Sequence, residues 1–454
     1  MRIAVAAALL PTALFAAPHL QKMRAQSEGA ISQFSSAAAP ANAYLFYYGG
    51  HVISNVKVVP VMWGSNVPSD VQTTMPNFYA AVTNSTFWSF LAEYDTNILD
   101  YGGQQGTNQH IGTGTATKAI VITPSITSTS ITDAQIQSEI QHQISIGKLP
   151  APDANTYYAV HYPAGMSISL PDGSGGTATS CQQFCAYHGT IAGSPEIFYG
   201  TLPNVTTDGC ELGCGPIGGG INNVTMVSSH ELIEATTDAE VGLATDNAPP
   251  LAWYDPQGND GEIADICNAT AGTITANNQS WTVQQIWSNS QNACVTGPAS
   301  NDFALELSPS THPIAAGSSA TYTVVSKAIA GSPGSIALVA DGMPAGFTGT
   351  FSPSTISAGQ TATLTVSVDS SAANGEDYFS FHGNAGSVSR AAKGTATVSG
   401  GNGGGGGGGG CPPGTIDLGG GICLPTGCST SSNGLAWAGA AFVGLMLALR
   451  RRRS

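Results

Sequence analysis

VKVVPVMWG, residues 56–64, reads as a buried strand, and the elements after it set the fold class. Residues 68–82 and 85–95 read as helices, the second rich in aromatics (Phe87, Trp88, Phe90). KAIVITP (118–124) is a second buried strand. ITDAQIQSEIQHQISIG (131–147) places apolar residues at 136, 140 and 144, the spacing of an amphipathic helix capped by Thr132 or Asp133. TYYAVHYP (156–163) and EIFYG (196–200) are further strands. Strands alternating with helices define an α/β domain over residues 43–298.

The helix expected after the last of these strands carries the chemistry. It reads TMVSSHELIEATTD, residues 225–238. A helix brings i and i+4 onto one face, so His230 and Glu234 point the same way. Glu231 lies about 100° round the same turn. An imidazole and a carboxylate so placed form a metal claw, and the neighbouring Glu231 can serve as general base. The usual zinc-peptidase helix reads HExxH, whereas this one reads HExxE. The apolar flanks Met226, Val227, Leu232, Ile233 and Ala235 predict burial, and no Lys or Arg occurs from 149 to 325. Buried acids with no basic partner are costly, and a metal ion removes that cost. An internal hydrogen-bonded His–Glu cluster is the alternative. GEIADIC (261–267) supplies further acids after a turn-rich loop, and Glu262 or Asp265 is the candidate third ligand. Zinc is the first candidate, with calcium or manganese as competitors because two carboxylates and one His suit zinc less than two His do. His188, between the Cys pairs, reads first as an ordinary loop histidine, with approach to the site, should a disulfide draw its loop in, as the alternative.

Composition and the chain ends place the protein. Only 9 % of residues are charged and the net charge is −15, which excludes nucleic-acid binding. MRIAVAAALLPTALFAA (1–17) reads as a secretory signal. In an exported chain, CQQFC and CELGC form disulfides rather than a four-thiolate zinc site. Two bridges are expected among Cys181, Cys185, Cys210 and Cys214, in an order the sequence leaves open. Cys267 is expected to pair with Cys294, and Cys411 with Cys423. Residues 18–42 read as disordered. Residues 302–399 alternate in strand fashion, with AGSSATYTV and AGQTATLTV as one piece used twice, and form an immunoglobulin-like β-sandwich. A Gly-rich, Cys-containing linker (400–433) leads to GLAWAGAAFVGLMLAL and a run of four Arg. This 434–454 tail reads as a membrane or sorting helix with its Arg on the cytoplasmic side.

Two resemblances sharpen these readings. The tail, with Cys428, a short apolar helix and an Arg cluster, resembles C-terminal sorting signals of the myxobacterial type. That implies processing near Cys428 and attachment to the outer cell surface. YLFYYGGHVISNVKVVPVMW (44–63), CAYHG (185–189), CELGC (210–214), SSHELIEATTD, AWYD (252–255), GEIADIC and VQQIWSNSQNAC (283–294) occur in order and resemble the Exordium, or phosphate-induced protein, family. The resemblance implies a secreted, disulfide-bonded α/β domain and stops short of a defined reaction.

The leading expectation is a zincin-like, surface-anchored, metal-dependent hydrolase acting on peptides, with Glu231 as base and His230, Glu234 and Glu262 or Asp265 as ligands. A non-catalytic wall-associated protein with a structural His–acid cluster or ion is the second reading, and a glycan-binding adhesin the third. The expected partners are an extracellular peptide or cell-wall polymer, and the membrane through the tail.

Overall fold

The computed structural model describes residues 22–24, 40, 42–171, 176–207, 210–215, 219–257, 261–401, 415–417 and 423–425. The chain divides into units Met1–Asn402 and Gly403–Ser454. In the second, Thr415–Asp417 pairs antiparallel with Cys423–Pro425. The secretory signal, the Cys411–Cys423 bridge, Cys428 and the membrane or sorting tail lie outside the described residues or side chains. Among the described residues no helix is long and apolar enough to cross a membrane.

The first unit opens on a mixed sheet. Lys57–Met62 lies between Thr156–His161 and two short strands, Thr115–Ala116 and Ile120–Val121, all parallel to it. Ile197–Leu202 adds in parallel beyond Thr156–His161, and Phe184–Ile191 adds antiparallel beyond that. Lys22–Arg24, from the stretch 18–42, pairs with the outer edge of Phe184–Ile191. Side chains alternate across this sheet. Val58, Met62, Tyr157 and Ala159 pack with helices Ser69–Val82 and Ile221–Thr237. Val59, Val61, Tyr158 and Val160 pack with Ile136 and Ile140 of helix Asp133–Ser145 on the other face. The result is a three-layer α/β/α arrangement, as strands buried on both faces require.

Local chemistry explains where expectation and structure differ. KAIVITP forms only the two-residue strand Ile120–Val121. The carbonyls of Val58 and Met62 accept from Thr117 N and Ile122 N, each at 3.0 Å. Pro60 sits between them in the same phase with no N–H to give, and there the neighbouring strand is broken. The helix expected over 85–95 is a short helix, Thr86–Ser89, running into a 3-10 turn, Phe90–Tyr94. Thr132, not Asp133, caps the amphipathic helix, with Gln135 completing a reciprocal capping box.

Residues 302–399 form two packed sheets of four and five strands with one apolar core. The two similar segments are neighbours in one sheet, with Thr321 opposite Thr365 and Tyr322 opposite Leu364. The sandwich docks on the first domain through polar contacts. Ala391 N donates to Ser290 O at 2.8 Å, Leu99 N to Ser308 Oγ at 2.9 Å and Lys393 Nζ to Ala43 O at 3.1 Å, while Glu93 holds Ser290 from the first-domain side by accepting from its N at 2.6 Å.

Two buried carboxyls at this seam lead to an expected pH dependence of stability. Burial pushes Glu93 up to about 7 and Glu306 up to about 8, although Lys327 Nζ lies 3.6 Å from Glu306. Glu306 also feels Asp95 and Glu93, and Glu93 feels Asp302. Both carboxyls keep protons in the folded chain at pH values where the unfolded chain has released them. Their contribution is complete below the ordinary value of 4.5 and declines as pH rises towards 7 to 8. Urea unfolding at pH 5 and pH 8 should therefore show lower stability at pH 8. Glu93→Gln should remove up to about 3 kcal/mol of that difference. A steeper decline in the variant would mean that the seam prefers the anion.

Candidate metal centre

Helix Ile221–Thr237 lies between the sheet and the hairpin Ala271–Ala276/Gln279–Gln284, and every residue from Asn223 to Thr237 is buried. Three of its hydroxyls turn back onto the helix. Ser229 donates to Met226 O at 2.7 Å, Thr236 to Leu232 O at 2.7 Å and Thr237 to Ile233 O at 3.0 Å. The hairpin is tied on by Thr225 Oγ1 to Thr282 O at 2.7 Å and by Gln284 N to Ser229 Oγ at 3.0 Å. The ionisable groups that the helix leaves unsatisfied are His230, Glu231 and Glu234.

Two other segments meet these three residues. GEIADIC crosses the helix and turns into the 3-10 segment Asp265–Cys267. Glu234 Oε1 accepts from Ala264 N at 3.2 Å and Asp265 N at 2.9 Å, so the helix carboxylate itself seats the loop. Gln284 Nε2 to Ala264 O at 2.7 Å and the Cys267–Cys294 disulfide hold it from outside. Strand Phe184–Ile191 brings His188. Disulfides Cys181–Cys210 and Cys185–Cys214 link this strand to the residues ahead of the site helix, which settles the pairing left open by the sequence. His188, expected in an ordinary loop, is a fully buried strand residue opposite Gly200. Burial on both faces hid that strand, because FCAYHGTI shows no apolar alternation to read.

His188, His230, Glu231, Glu234, Glu262 and Asp265 are each at most 5 % exposed. His230 Nε2 lies 3.1 Å from Glu234 Oε2 and 3.5 Å from Asp265 Oδ1. His188 Nδ1 lies 3.4 Å from Glu231 Oε2 and 3.6 Å from Glu234 Oε2, and its Nε2 lies 3.4 Å from Glu262 Oε1. One donor atom from each of His230, Glu234 and Asp265 falls within 4.8 Å of the others, and the same holds for His188, Glu234 and Glu262. Glu262 and Asp265 thus face different histidines, and Glu231 belongs to neither triad.

The electrostatics reflect burial and mutual charge. Burial alone would lower the histidines. Glu262 and the neighbouring acids raise His188 well above the usual range, and Glu234 with Asp265 does the same for His230. Burial first, then neighbouring carboxylates, pushes Asp265 up to about 7 and Glu262 up to about 8. Burial also raises Glu231. Both nitrogens of His230, His188 Nε2, Glu231 Oε1, Glu234 Oε2, both oxygens of Glu262 and Asp265 Oδ1 lack hydrogen-bond partners. Buried polar atoms left in such numbers call for a ligand. The donor set of imidazole nitrogen and carboxylate oxygen is one that divalent cations accept.

Fold and cluster together give a disulfide-bonded α/β domain with a closed His–carboxylate centre, joined to a β-sandwich, and the three disulfides are consistent with an extracellular protein. No family model matches the chain, and no curated protein matches it. Among solved structures, domains 4 and 5 of the S-layer protein SbsC align at 18 % identity over 31 % of this chain and 62 % of that one, with a TM-score of 0.17. The M1 domain from titin aligns at 9 % identity over 22 % and 97 %, with a TM-score of 0.15. The Vibrio cholerae VesB protease aligns at 14 % identity over 37 % and 54 %, with a TM-score of 0.18. The chain spans less than two thirds of the S-layer fragment, and similarity at these scores carries no functional argument.

Proposed function

We propose that this protein is exported and attached to the cell surface, and that its first domain holds a divalent cation through His230, Glu234 and Asp265. The observation that carries this reading is the convergence on His230 Nε2. Two carboxylates approach that nitrogen within 3.5 Å, in a buried cluster where neither nitrogen of His230 has a hydrogen-bond partner. The resemblance to the Exordium family and the sorting-type tail agree with a surface role. Burial of all six side chains favours holding the ion over turning over a substrate.

Hydrolysis is the second reading, and Glu231 is the observation that favours it. Its Oε1 has no partner while Oε2 faces His188 Nδ1 at 3.4 Å. In that role Glu231 would take a proton, and the cation would supply charge to polarise a peptide carbonyl. A substrate would first have to open the site.

One comparison separates the two. The full disulfide-bonded chain and its Glu231→Gln variant are purified, then assayed for bound metal, thermal unfolding and cleavage of a peptide library. Ion-holding predicts bound cation in both, melting within a few degrees of each other and no cleavage. Cleavage by the wild type that Glu231→Gln abolishes would replace it with the hydrolase reading. A chain that takes up no divalent cation would remove both.

A further inference from the structure

The His–acid cluster has two centres of convergence. We propose that it binds two divalent cations, with Glu234 as the bridging carboxylate. This rests on the cation reading above and extends it from one ion to two. The first triad is His230, Glu234 and Asp265, and the second is His188, Glu234 and Glu262. Glu234 is the one residue in both. Its Oε1 is pinned by two backbone N–H groups, which leaves Oε2 facing His230 Nε2 at 3.1 Å and His188 Nδ1 at 3.6 Å. A carboxylate shared in this way is the usual link in two-metal sites, whose ions lie about 3.5–4 Å apart.

Unsatisfied atoms lie on both sides of Glu234, not on one. His230 and Asp265 Oδ1 are orphaned on the first side, and His188 Nε2 with both Glu262 oxygens on the second. A single ion in the first triad would leave both Glu262 oxygens unsatisfied, with only His188 Nε2 at 3.4 Å facing them. Charge balance points the same way. Four carboxylates, Glu231, Glu234, Glu262 and Asp265, are buried around two histidines, in a stretch with no Lys or Arg from 149 to 325. With all four carboxylates ionised and both histidines neutral, as metal ligation requires, one divalent cation leaves two uncompensated negative charges. Two cations leave none, and unpaired buried charge is what such a site must avoid. The fifth buried acid, Asp238, gives one oxygen to Ala252 N at 2.9 Å and belongs to neither triad.

His188 Nε2, which faces Glu262 Oε1 at 3.4 Å, would ligate, while Nδ1 donates its proton to Glu231 Oε2 at 3.4 Å, as histidine ligands commonly do. A nitrogen donor in each triad selects a first-row transition ion or zinc over magnesium or calcium, which take oxygen donors.

Manganese tests the pairing directly. The full chain, stripped with chelator and shown by mass to keep its three described disulfides, is titrated with Mn²⁺ and followed by equilibrium dialysis and electron paramagnetic resonance. The expected result is saturation at two equivalents, with the spectrum of a spin-coupled pair. Glu262→Gln should then saturate at one equivalent and show the six-line signal of an isolated ion. Asp265→Asn should do the same from the other side. A wild type that saturates at one equivalent with an isolated-ion signal overturns the dinuclear centre and leaves the single-cation reading standing. No uptake overturns both. The wild-type spectrum decides the question even where a variant fails to fold.

Discussion

His230→Ala is expected to release the cation held by His230, Glu234 and Asp265 and lower the melting temperature by about 10 °C. An ion held at a hundred times its dissociation constant stabilises the folded state by about 2.7 kcal/mol. Removing one partner from a buried charged cluster costs about 3–5 kcal/mol. In this variant Glu234 Oε2 and Asp265 Oδ1 lose the imidazole at which they converge. For a domain of roughly 150–250 residues each kcal/mol moves the melting temperature by about 2–4 °C. Calorimetry with and without EDTA makes the result specific. Chelator should destabilise the wild type in the same direction and by more than it destabilises His230→Ala, which keeps only the triad of His188, Glu234 and Glu262. If EDTA leaves the wild type unaffected while His230→Ala still unfolds early, the cluster is an internal hydrogen-bonded network without an ion.

Gly50→Ala should cost more than about 3 kcal/mol, or prevent recovery of folded protein altogether. A methyl group at Gly50 would meet Pro250 O at 1.8 Å and Leu251 C at 2.6 Å, and both are backbone atoms that no rotamer change can move. Gly50 N donates to Leu251 O at 2.8 Å, and Tyr48 N to Ala252 O at 2.8 Å, so the two segments are laced together at this point. The same lacing fixes the end of the site helix, through Ile53 N to Thr236 O at 2.9 Å and Ala239 N to His51 O at 3.2 Å. Gly147→Ala is the contrasting variant. Gly147 has φ +72° with nothing within 4 Å of the added carbon, so it should cost only backbone strain of about 1–2 kcal/mol. Urea unfolding of the two variants checks the difference. Equal costs would mean that the Pro250–Leu251 segment yields easily.

Much of this architecture arises from short-range pattern. Lys57–Met62, Ser69–Val82, Asp133–Ser145 and the β-sandwich are legible because their apolar spacing matches the period of one helix or strand. The helix bearing His230, Glu231 and Glu234 is legible for a different reason. Its i, i+4 histidine and acid stand in a stretch with no base to pair with them, so burial implies a need for charge compensation. The Cys267–Cys294 pairing is legible as well, whereas the order among the other four described cysteines is not.

His188 marks where pattern runs out. In sequence it lies 42 residues before His230, in a segment that lacks alternation because both faces are buried. Its role depends on an antiparallel pairing with Ile197–Leu202 and on two disulfides to residues 210–214, none of which leaves a periodic trace. The same is true of Glu262 and Asp265, which sequence places near the helix but cannot assign to different histidines. The sequence by itself determined the α/β and β-sandwich classes, the acidic balance and the His–Glu pair on one helix face. Only the tertiary structure decided that His188 closes a second triad on Glu234, because strand pairing and disulfides bring residues distant in the chain within a few ångströms without leaving a local signal of their meeting.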